Sequence, residues 1–292
     1  MDKLCSGYGL VEGPVWDQTR RALLFSDVLN GGVFSVTRDG RVETVIEHRR
    51  GIGGMALHVH GGMVVSGRNV SWKPFSTDVG GETVMLLDRD ESAGNVGYND
   101  LTTDEQGRIY VGSLGSSPVF EDGREPASGD LYLIDTDGMA RIVMEDIRLT
   151  NGLAVSPDGK TLYHSDTTRN VVNRYTVQPD GALSDREIFV HTHNGVPDGL
   201  CVSADGAVWV ALAGGGSGVQ AYSEDGRELM FVEIPQPMCT SCCFGGDDLN
   251  DLYIVSGSDG GEPNSGAVYV ERLDHTGLVV HPAAVQLAAG GS

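Results

Sequence analysis

Basic residues, cysteine and long apolar runs are all scarce in this chain, and each scarcity excludes a class of protein. Lys and Arg number 20 against 41 Asp and Glu, which gives a formal net charge of −21. A nucleic-acid-binding or anionic-membrane-binding surface is therefore not expected, because both partners are polyanions and would be repelled. No apolar run approaches the roughly 20 residues that a membrane span requires.

The five cysteines are an odd number, and Cys242 and Cys243 are adjacent. This pattern argues against a disulfide framework. Residues 1–5 lack the basic and then apolar layout of a secretory signal. Together these features predict a cytoplasmic protein.

Glycine, by contrast, is abundant at 42 of 292 residues, and it follows no collagen-like period. Many tight turns between short strands are expected from this composition. No shift in composition divides the chain, and large all-β folds often reach this length as one unit. We therefore predict a single domain over residues 1–292.

Short β-rich runs recur along the chain at intervals of roughly 40 to 53 residues, within the range of propeller blades. Six runs are found, at residues 23–27, 63–66, 109–113, 162–166, 208–211 and 252–256. Several follow a turn built from Asp and Gly, as at residues 104–107, 157–159 and 204–206. Helical periodicity is absent over long windows. A β-sandwich is the alternative, but radial repetition explains six copies directly, so the sequence predicts an all-β, six-bladed propeller.

Aligning the repeats on these turns brings one residue of each repeat into the same phase: Glu12, Gly53, Asn99, Asn151, Asp198 and either Thr240 or Ser241. The first strand of each propeller blade lines the central channel, so equivalent positions converge on the axis. Four polar side chains, those of Glu12, Asn99, Asn151 and Asp198, are therefore expected to form a ring, with small residues from the other two blades.

Two carboxylates and two amides in one narrow channel would be costly without compensation, which a divalent cation would supply. Oxygen ligands without His or Cys favour Ca²⁺, Mg²⁺ or Mn²⁺ over Zn²⁺. Each of these residues taken alone is also explained by turn chemistry. Their shared phase is what favours a central metal site.

The motifs around these residues resemble the senescence-marker-protein/gluconolactonase family, which includes regucalcin-like and luciferin-regenerating-enzyme-like proteins. The matching motifs are Glu12-Gly13-Pro14-Val15-Trp16, Tyr98-Asn99-Asp100, Thr150-Asn151-Gly152-Leu153, Pro197-Asp198-Gly199-Leu200, Val208-Trp209-Val210-Ala211 and Thr240-Ser241-Cys242-Cys243-Phe244-Gly245-Gly246. They run in the family's order over nearly the whole chain.

The resemblance implies a propeller with one metal, held by Glu12, Asn151 and Asp198. It implies that Asp198 is also the catalytic base, and that Asn99 contacts substrate or completes the metal shell. Ca²⁺ is the cation we expect first, with Mg²⁺, Mn²⁺, Zn²⁺ or Fe²⁺ as alternatives across the family.

The predicted function is metal-dependent hydrolysis of a small lactone, with a sugar lactone as the partner molecule. A phosphotriesterase-like hydrolase and a non-catalytic Ca²⁺-binding propeller are the alternatives. One departure concerns specificity: regucalcin-like members carry an Arg that binds sugar hydroxyls at the position of Gly97. Arg68 is a candidate replacement cation, although an exposed surface role is the favoured interpretation.

Two loops are expected to border the pocket because of their length, at residues 69–81 and 116–128.

Overall fold

The chain folds into six four-stranded antiparallel sheets in the computed structural model, which describes residues 1–76, 82–117, 125, 127–258 and 262–287. The strands of blade 1 are β2 (Val11–Asp17), β3 (Ala22–Asp27), β4 (Val33–Thr37) and β5 (Val42–Ile46). Those of blade 2 are β6 (Met55–Leu57), β7 (Met63–Val65), β8 (Val70–Lys73) and β9 (Val84–Leu87). Those of blade 3 are β10 (Gly97–Thr103), β11 (Ile109–Leu114), β12 (Gly129–Ile134) and β13 (Ala140–Ile147).

Blades 4 and 5 repeat the pattern, and blade 6 draws on both ends of the described chain. Blade 4 contains β14 (Thr150–Val155), β15 (Thr161–Asp166), β16 (Val171–Val177) and β17 (Leu183–His191). Blade 5 contains β18 (Val196–Val202), β19 (Val208–Ala213), β20 (Gly218–Tyr222) and β21 (Glu228–Glu233). Blade 6 contains β22 (Cys239–Gly245), β23 (Asp251–Ser256), β24 (Gly266–Arg272) and, as its outermost strand, β1 (Asp2–Tyr8).

This arrangement is a six-bladed β-propeller, so the predicted fold class is confirmed. Each recurrent run seen in the sequence is the second strand of a blade, namely β3, β7, β11, β15, β19 and β23. The Asp and Gly turns join the first strand to the second, closed for example by Gly107 N donating to Asp104 O at 2.9 Å. The five cysteines are free thiols.

The first strands of the blades form a closed ring, since each contacts the first strand of the blades on either side. Adjacent strands of this ring approach so closely that a side chain would not fit at some positions. A Cβ atom added to Gly152 would lie 2.3 Å from Leu200 N, and one on Gly199 would lie 2.0 Å from Ser241 Oγ. Glycine at these positions therefore allows the inner strands to close around the axis.

Apolar side chains between neighbouring blades form the core. The largest fully buried side chain, Trp209, packs edge-on against Phe244 of the next blade, with ring centroids 5.3 Å apart. Trp16 of blade 1 stacks on Tyr253 of blade 6, with centroids 5.4 Å apart. Because each blade buries its faces against two neighbours, the hydrophobic contacts run around the whole ring.

Residues 273–287 cross one end of the central channel. The segment is bonded to blade 5 through Ala204 N and Thr276 O, at 2.8 Å, and to blade 3 through Ala284 N and Gly107 O, at 2.9 Å. The buried His58 of blade 2 lies within hydrogen-bond distance of Val285 O, at 2.9 Å. The segment therefore covers this end of the channel and leaves the opposite end for entry.

Helical structure in the described part of the chain is limited to two single 3₁₀ turns, Glu91–Ala93 and Thr167–Arg169. Among these residues, no helix is long and apolar enough to cross a membrane.

Replacing Tyr8 should test how β1 holds the ring closed. The ring of Tyr8 contacts Phe25 at 5.0 Å and Phe34 at 5.2 Å between centroids, so it joins blade 6 to blade 1. We expect Tyr8→Ala to lower the free energy of unfolding by about 2 kcal/mol, because the side chain is half-buried. Lys3→Ala on the same strand is the control, expected to change it by less than about 0.5 kcal/mol. Urea denaturation measures the free energy of unfolding of both variants. Equal effects would show that the contacts of Tyr8 with Phe25 and Phe34 do not stabilise the closed ring.

Candidate functional site

The four polar residues predicted to form a ring all line one cavity of about 600 Å³. Glu12, Asn99, Asn151 and Asp198 reach it from blades 1, 3, 4 and 5, and blade 2 contributes Gly53. The blade 6 candidates do not reach this cavity. Thr240 Oγ1 donates to Val11 O, and Ser241 faces a second cavity of about 500 Å³ at the other end of the channel.

Irregular strand pairing presents these side chains to the channel. The ladder between the first and second strands is interrupted between Thr150 and Leu153 in blade 4 and between Pro197 and Leu200 in blade 5. Similar interruptions follow Glu12 in blade 1 and flank Asn99 in blade 3. A β-bulge leaves residues unpaired and redirects their side chains, which explains how a short inner strand can aim a polar group at the axis.

A hydrogen-bond chain fixes the two amides. Asn99 Nδ2 donates to Asn151 Oδ1 at 2.7 Å and to Thr150 O at 2.8 Å. Asn151 Nδ2 donates to Thr167 Oγ1 at 2.8 Å, and this hydroxyl donates to Pro197 O at 2.7 Å. Both amino groups are therefore engaged by protein, and the orientation of each amide oxygen is determined.

The two carboxylates of the ring are buried and incompletely bonded. Glu12 is 8% exposed and Asp198 is 5% exposed. Glu12 Oε2 and Asp198 Oδ1 are buried and have no hydrogen-bond partner among the described residues. A buried carboxylate oxygen without a partner carries a desolvation penalty, which a cation would offset.

Burial is the main reason that the pKa of Glu12 is raised well above its ordinary value, and the charges of Asp198 and Asp100 add to it. Burial likewise raises the pKa of Asp198 well above its ordinary value, with a further contribution from Asp100. The backbone N–H of the following glycine opposes the shift in each case. The protein alone thus concentrates negative charge that it does not balance.

Asp100 is a third buried carboxylate that the sequence analysis gave no role. It follows Asn99 in the bulge and lines the opposite cavity, so the two neighbouring side chains face different ends of the channel. Burial raises the pKa of Asp100 to about 7. The adjacent Asn-Asp pair was the only sequence signal for it.

Within the described ranges, no three His, Cys, Asp or Glu side chains come together as a metal-binding group. The candidate metal set therefore depends on an amide, Asn151, beside the carboxylates of Glu12 and Asp198. No His or Cys is among the described residues that line this cavity. The roles of these residues as ligands stay predictions.

The Gly97 position is closed to a larger side chain. A Cβ atom there would lie 2.7 Å from Gly67 O, because Tyr98 N donates to the same carbonyl at 2.6 Å. Arg68, next to Gly67, lines the cavity, and its side chain is 75% exposed. It is therefore both a surface residue and a residue of the cavity mouth.

The two loops predicted to border the pocket are described only in part. Ser117 of the second loop lines the cavity. Residues 69–76 of the first loop are described but do not line it, and residues 77–81, 118–124 and 126 lie outside the described residues.

The fold and this channel define a class of six-bladed propellers with a polar centre, and comparisons with known proteins identify the family. Residues 10–258 match the SMP-30/gluconolactonase/LRE-like region. The chain therefore belongs to this family, which confirms the resemblance seen in its motifs.

Three similar proteins illustrate the relationship. Regucalcin from Xenopus laevis is 30% identical over 90% of this chain and 90% of its own. A 6-deoxy-6-sulfogluconolactonase from Pseudomonas putida is 31% identical over 92% of each chain. The structure of a gluconolactonase from Xanthomonas campestris is 26% identical and has a TM-score of 0.77, covering 92% of this chain and 89% of its own.

The raised pKa of Asp100 predicts a pH-dependent stability of the metal-free protein. Between the ordinary aspartate pKa near 4 and the folded-state pKa of about 7, the folded protein binds more protons than the unfolded chain, so stability falls as pH rises. The free energy of unfolding of the wild-type protein should therefore fall between pH 4.5 and pH 7.5. We expect this fall to be about 3 kcal/mol smaller in Asp100→Asn.

Urea denaturation of EDTA-treated wild-type protein and Asp100→Asn at both pH values measures the difference. Asp185→Asn, at an exposed outer-strand position, is the control and should follow wild type. If Asp100→Asn and wild type lost stability in parallel, Asp100 would be ionised in both the folded and the unfolded state.

Proposed function

We propose that this protein is a divalent-metal-dependent hydrolase that opens a small lactone, with sugar lactones as the substrate class. The observation that carries the proposal is the pair of buried carboxylate oxygens, on Glu12 and Asp198, that face one cavity without a hydrogen-bond partner among the described residues. Membership of the SMP-30/gluconolactonase/LRE-like family supports the same conclusion.

The donor atoms fit a hard cation. Glu12 Oε2 and Asp198 Oδ1 supply negative oxygens, and Asn151 Oδ1 retains a lone pair beside the one that accepts from Asn99. Oxygen donors of this kind suit Ca²⁺ first, and Mg²⁺ or Mn²⁺ next. Three protein ligands leave coordination positions for water and substrate. A divalent cation bound here would polarise the lactone carbonyl and stabilise the negative charge that develops on its oxygen.

Asp198 acts as the general base in this proposal. Asp198 Oδ1 would bind the cation, which leaves the second carboxylate oxygen to accept a proton. It accepts a proton from the attacking water while the water oxygen bonds to the carbonyl carbon. The bond from that carbon to the ring oxygen then breaks, and the proton passes to the departing oxygen. The product is an open-chain hydroxy acid.

Asn99 orients the substrate. Both hydrogens of its amino group are donated to blade 4, so its Oδ1 is the atom left to accept a hydrogen bond. This oxygen lies at the cavity wall beside Gly53, where even a Cβ atom would lie 2.0 Å from it. A sugar hydroxyl that donates to Oδ1 would hold the lactone ring against this wall.

The relatives support the substrate class. The Pseudomonas protein is named for a sulfonated sugar lactone and the Xanthomonas protein for gluconolactone. A cavity of about 600 Å³ is within the usual range for small-molecule sites.

Replacing Asp198 tests the mechanism. We expect Asp198→Asn to lower kcat/KM for glucono-1,5-lactone by about 10³-fold, because it removes both a general base and a negative metal ligand. Calcium affinity, measured by isothermal titration calorimetry, should fall as well. A pH-indicator assay with Ca²⁺, Mg²⁺ or Mn²⁺ restored to the EDTA-treated protein gives the activity.

Asp185→Asn is the matched control and should retain both activity and metal affinity. Full activity in Asp198→Asn with the metal still bound would refute the role of Asp198. Metal binding without turnover on any lactone would favour a non-catalytic Ca²⁺-binding propeller, and turnover of paraoxon alone would favour a phosphotriesterase.

A further inference from the structure

Three arginines line the mouth of the candidate active-site cavity. Arg50 lies between β5 and β6, Arg68 between β7 and β8, and Arg89 between β9 and β10. Two of these connections join neighbouring blades, and the third lies within blade 2. The propeller therefore gathers three guanidinium groups on one side of the cavity that also contains Glu12 and Asp198.

This gathering stands out against the charge of the whole chain. Only 20 of 292 residues are basic, and the net charge is −21. Most arginines elsewhere in the described chain are paired with carboxylates, as Arg174 is with Glu187 at 2.7 Å and Arg108 with Asp104 at 2.7 Å. An anionic protein that keeps several cationic groups at one concave site creates a local field that attracts anions.

One carboxylate neutralises part of the cluster. Glu91 Oε1 lies 3.9 Å from Arg68 Nη2 and also contacts Arg89. This shared partner holds the two guanidinium groups side by side, and Glu91 itself does not line the cavity. Arg89 has a second contact with Val96 O at 3.4 Å. Among the residues that the structure describes at this mouth, the three guanidinium groups have one carboxylate partner between them, Glu91.

Arg50 and Arg68 keep their hydrogen-bond donors available. Arg50 is exposed and makes no ion pair or hydrogen bond with any part of the chain that the structure describes. Arg68 has only the long contact with Glu91. A guanidinium group carries five N–H donors in a planar fork that matches carboxylate and phosphate oxygens.

The position of the cluster indicates which part of a ligand it would contact. The two carboxylates and the amide of the ring belong to the inner strands, whereas the arginines belong to the loops above them. A lactone carbonyl held at the ring would leave the far end of the molecule near the arginines. We infer that the substrate is a lactone with an anionic group, such as phosphate or carboxylate, remote from its carbonyl. This inference rests on the proposed lactonase function.

Matched pairs of lactones test the inference. The first pair is 6-phosphoglucono-1,5-lactone and glucono-1,5-lactone, and the second is glucaro-1,4-lactone and glucono-1,4-lactone. Within each pair the lactone ring is the same, and only the anionic member carries a phosphate or a carboxylate at its remote end. We expect kcat/KM of the metal-restored protein to be at least roughly tenfold higher for one or both anionic lactones, and this advantage to shrink as salt is added.

Substitution assigns the advantage to the arginines. Arg68→Gln and Arg50→Gln should each lower the anionic-to-neutral ratio of kcat/KM by roughly tenfold, since each removes charge-assisted hydrogen bonds to the anion. Arg68→Lys should retain part of the ratio because it keeps the charge and loses the planar fork. Arg227→Gln, at an exposed turn of blade 5 away from the cavity, should leave the ratio unchanged.

A binding measurement separates this inference from the proposed function. Isothermal titration calorimetry with 6-phosphogluconate and gluconate compares affinities without any turnover. If neutral lactones were opened as well as anionic ones and Arg68→Gln left the ratio unchanged, the inference would fail while the lactonase function stood. If no lactone were opened, the lactonase function would fail. An anion site would still be supported if 6-phosphogluconate bound more tightly than gluconate and this difference were lost in Arg68→Gln. Equal affinities for the two acids would overturn it.

Discussion

Crowding at the propeller axis is the constraint on which the rest of the structure depends. The first strands of six blades must fit around one channel, and at Gly152 and Gly199 the next strand lies too close for any side chain. The same strands must also carry polar groups into the channel. The inner strands of blades 1, 4 and 5 meet both demands by placing a glycine directly after the polar residue, as in Asn151-Gly152 and Asp198-Gly199, inside a β-bulge.

The ring is closely packed, and its electrostatics follow from that packing. Glu12 and Asp198 are buried within this packing. Burial raises the pKa of both carboxyls well above their ordinary values. The hydrogen-bond chain from Asn99 through Asn151 to Thr167 fixes the neutral groups in the same way. Under the proposed function, these fixed oxygens would bind the cation without a large rearrangement.

The sequence was sufficient to predict the architecture because the fold is repetitive. Six β-rich runs with turns at a shared offset gave both the number of blades and the second strand of each. The same alignment brought Glu12, Asn99, Asn151 and Asp198 into one phase, and all four line one cavity. Residues at equivalent positions of the repeat lie at equivalent distances from the propeller axis, so a shared position in the repeat is a strong signal.

Features outside the repeat could not be predicted in this way. The division of the Asn99-Asp100 pair between two ends of the channel depends on the bulge, and a bulge leaves no periodic pattern in the sequence. The partners of Arg68 and Arg89 come from the irregular segment around Glu91, which no repeat aligns. The segment after β24 covers one end of the channel through backbone hydrogen bonds, and these are independent of side-chain type. Such contacts are set by three-dimensional proximity alone.

The pairing of β1 with β24 has a consequence for how the molecule acquires its shape. Asp2 lies opposite Val270, so β1 pairs with a strand from the far end of the described chain. Blades 1 to 5 can each form from contiguous chain, whereas blade 6 requires the chain to meet itself across almost its whole length, with the loop-closure entropy that this entails. Among the strand pairings of the described chain, this one joins the residues that are farthest apart in sequence, so it carries the largest loop-closure cost. The ring around the channel is thus held closed by a seam between two strands that are distant in sequence.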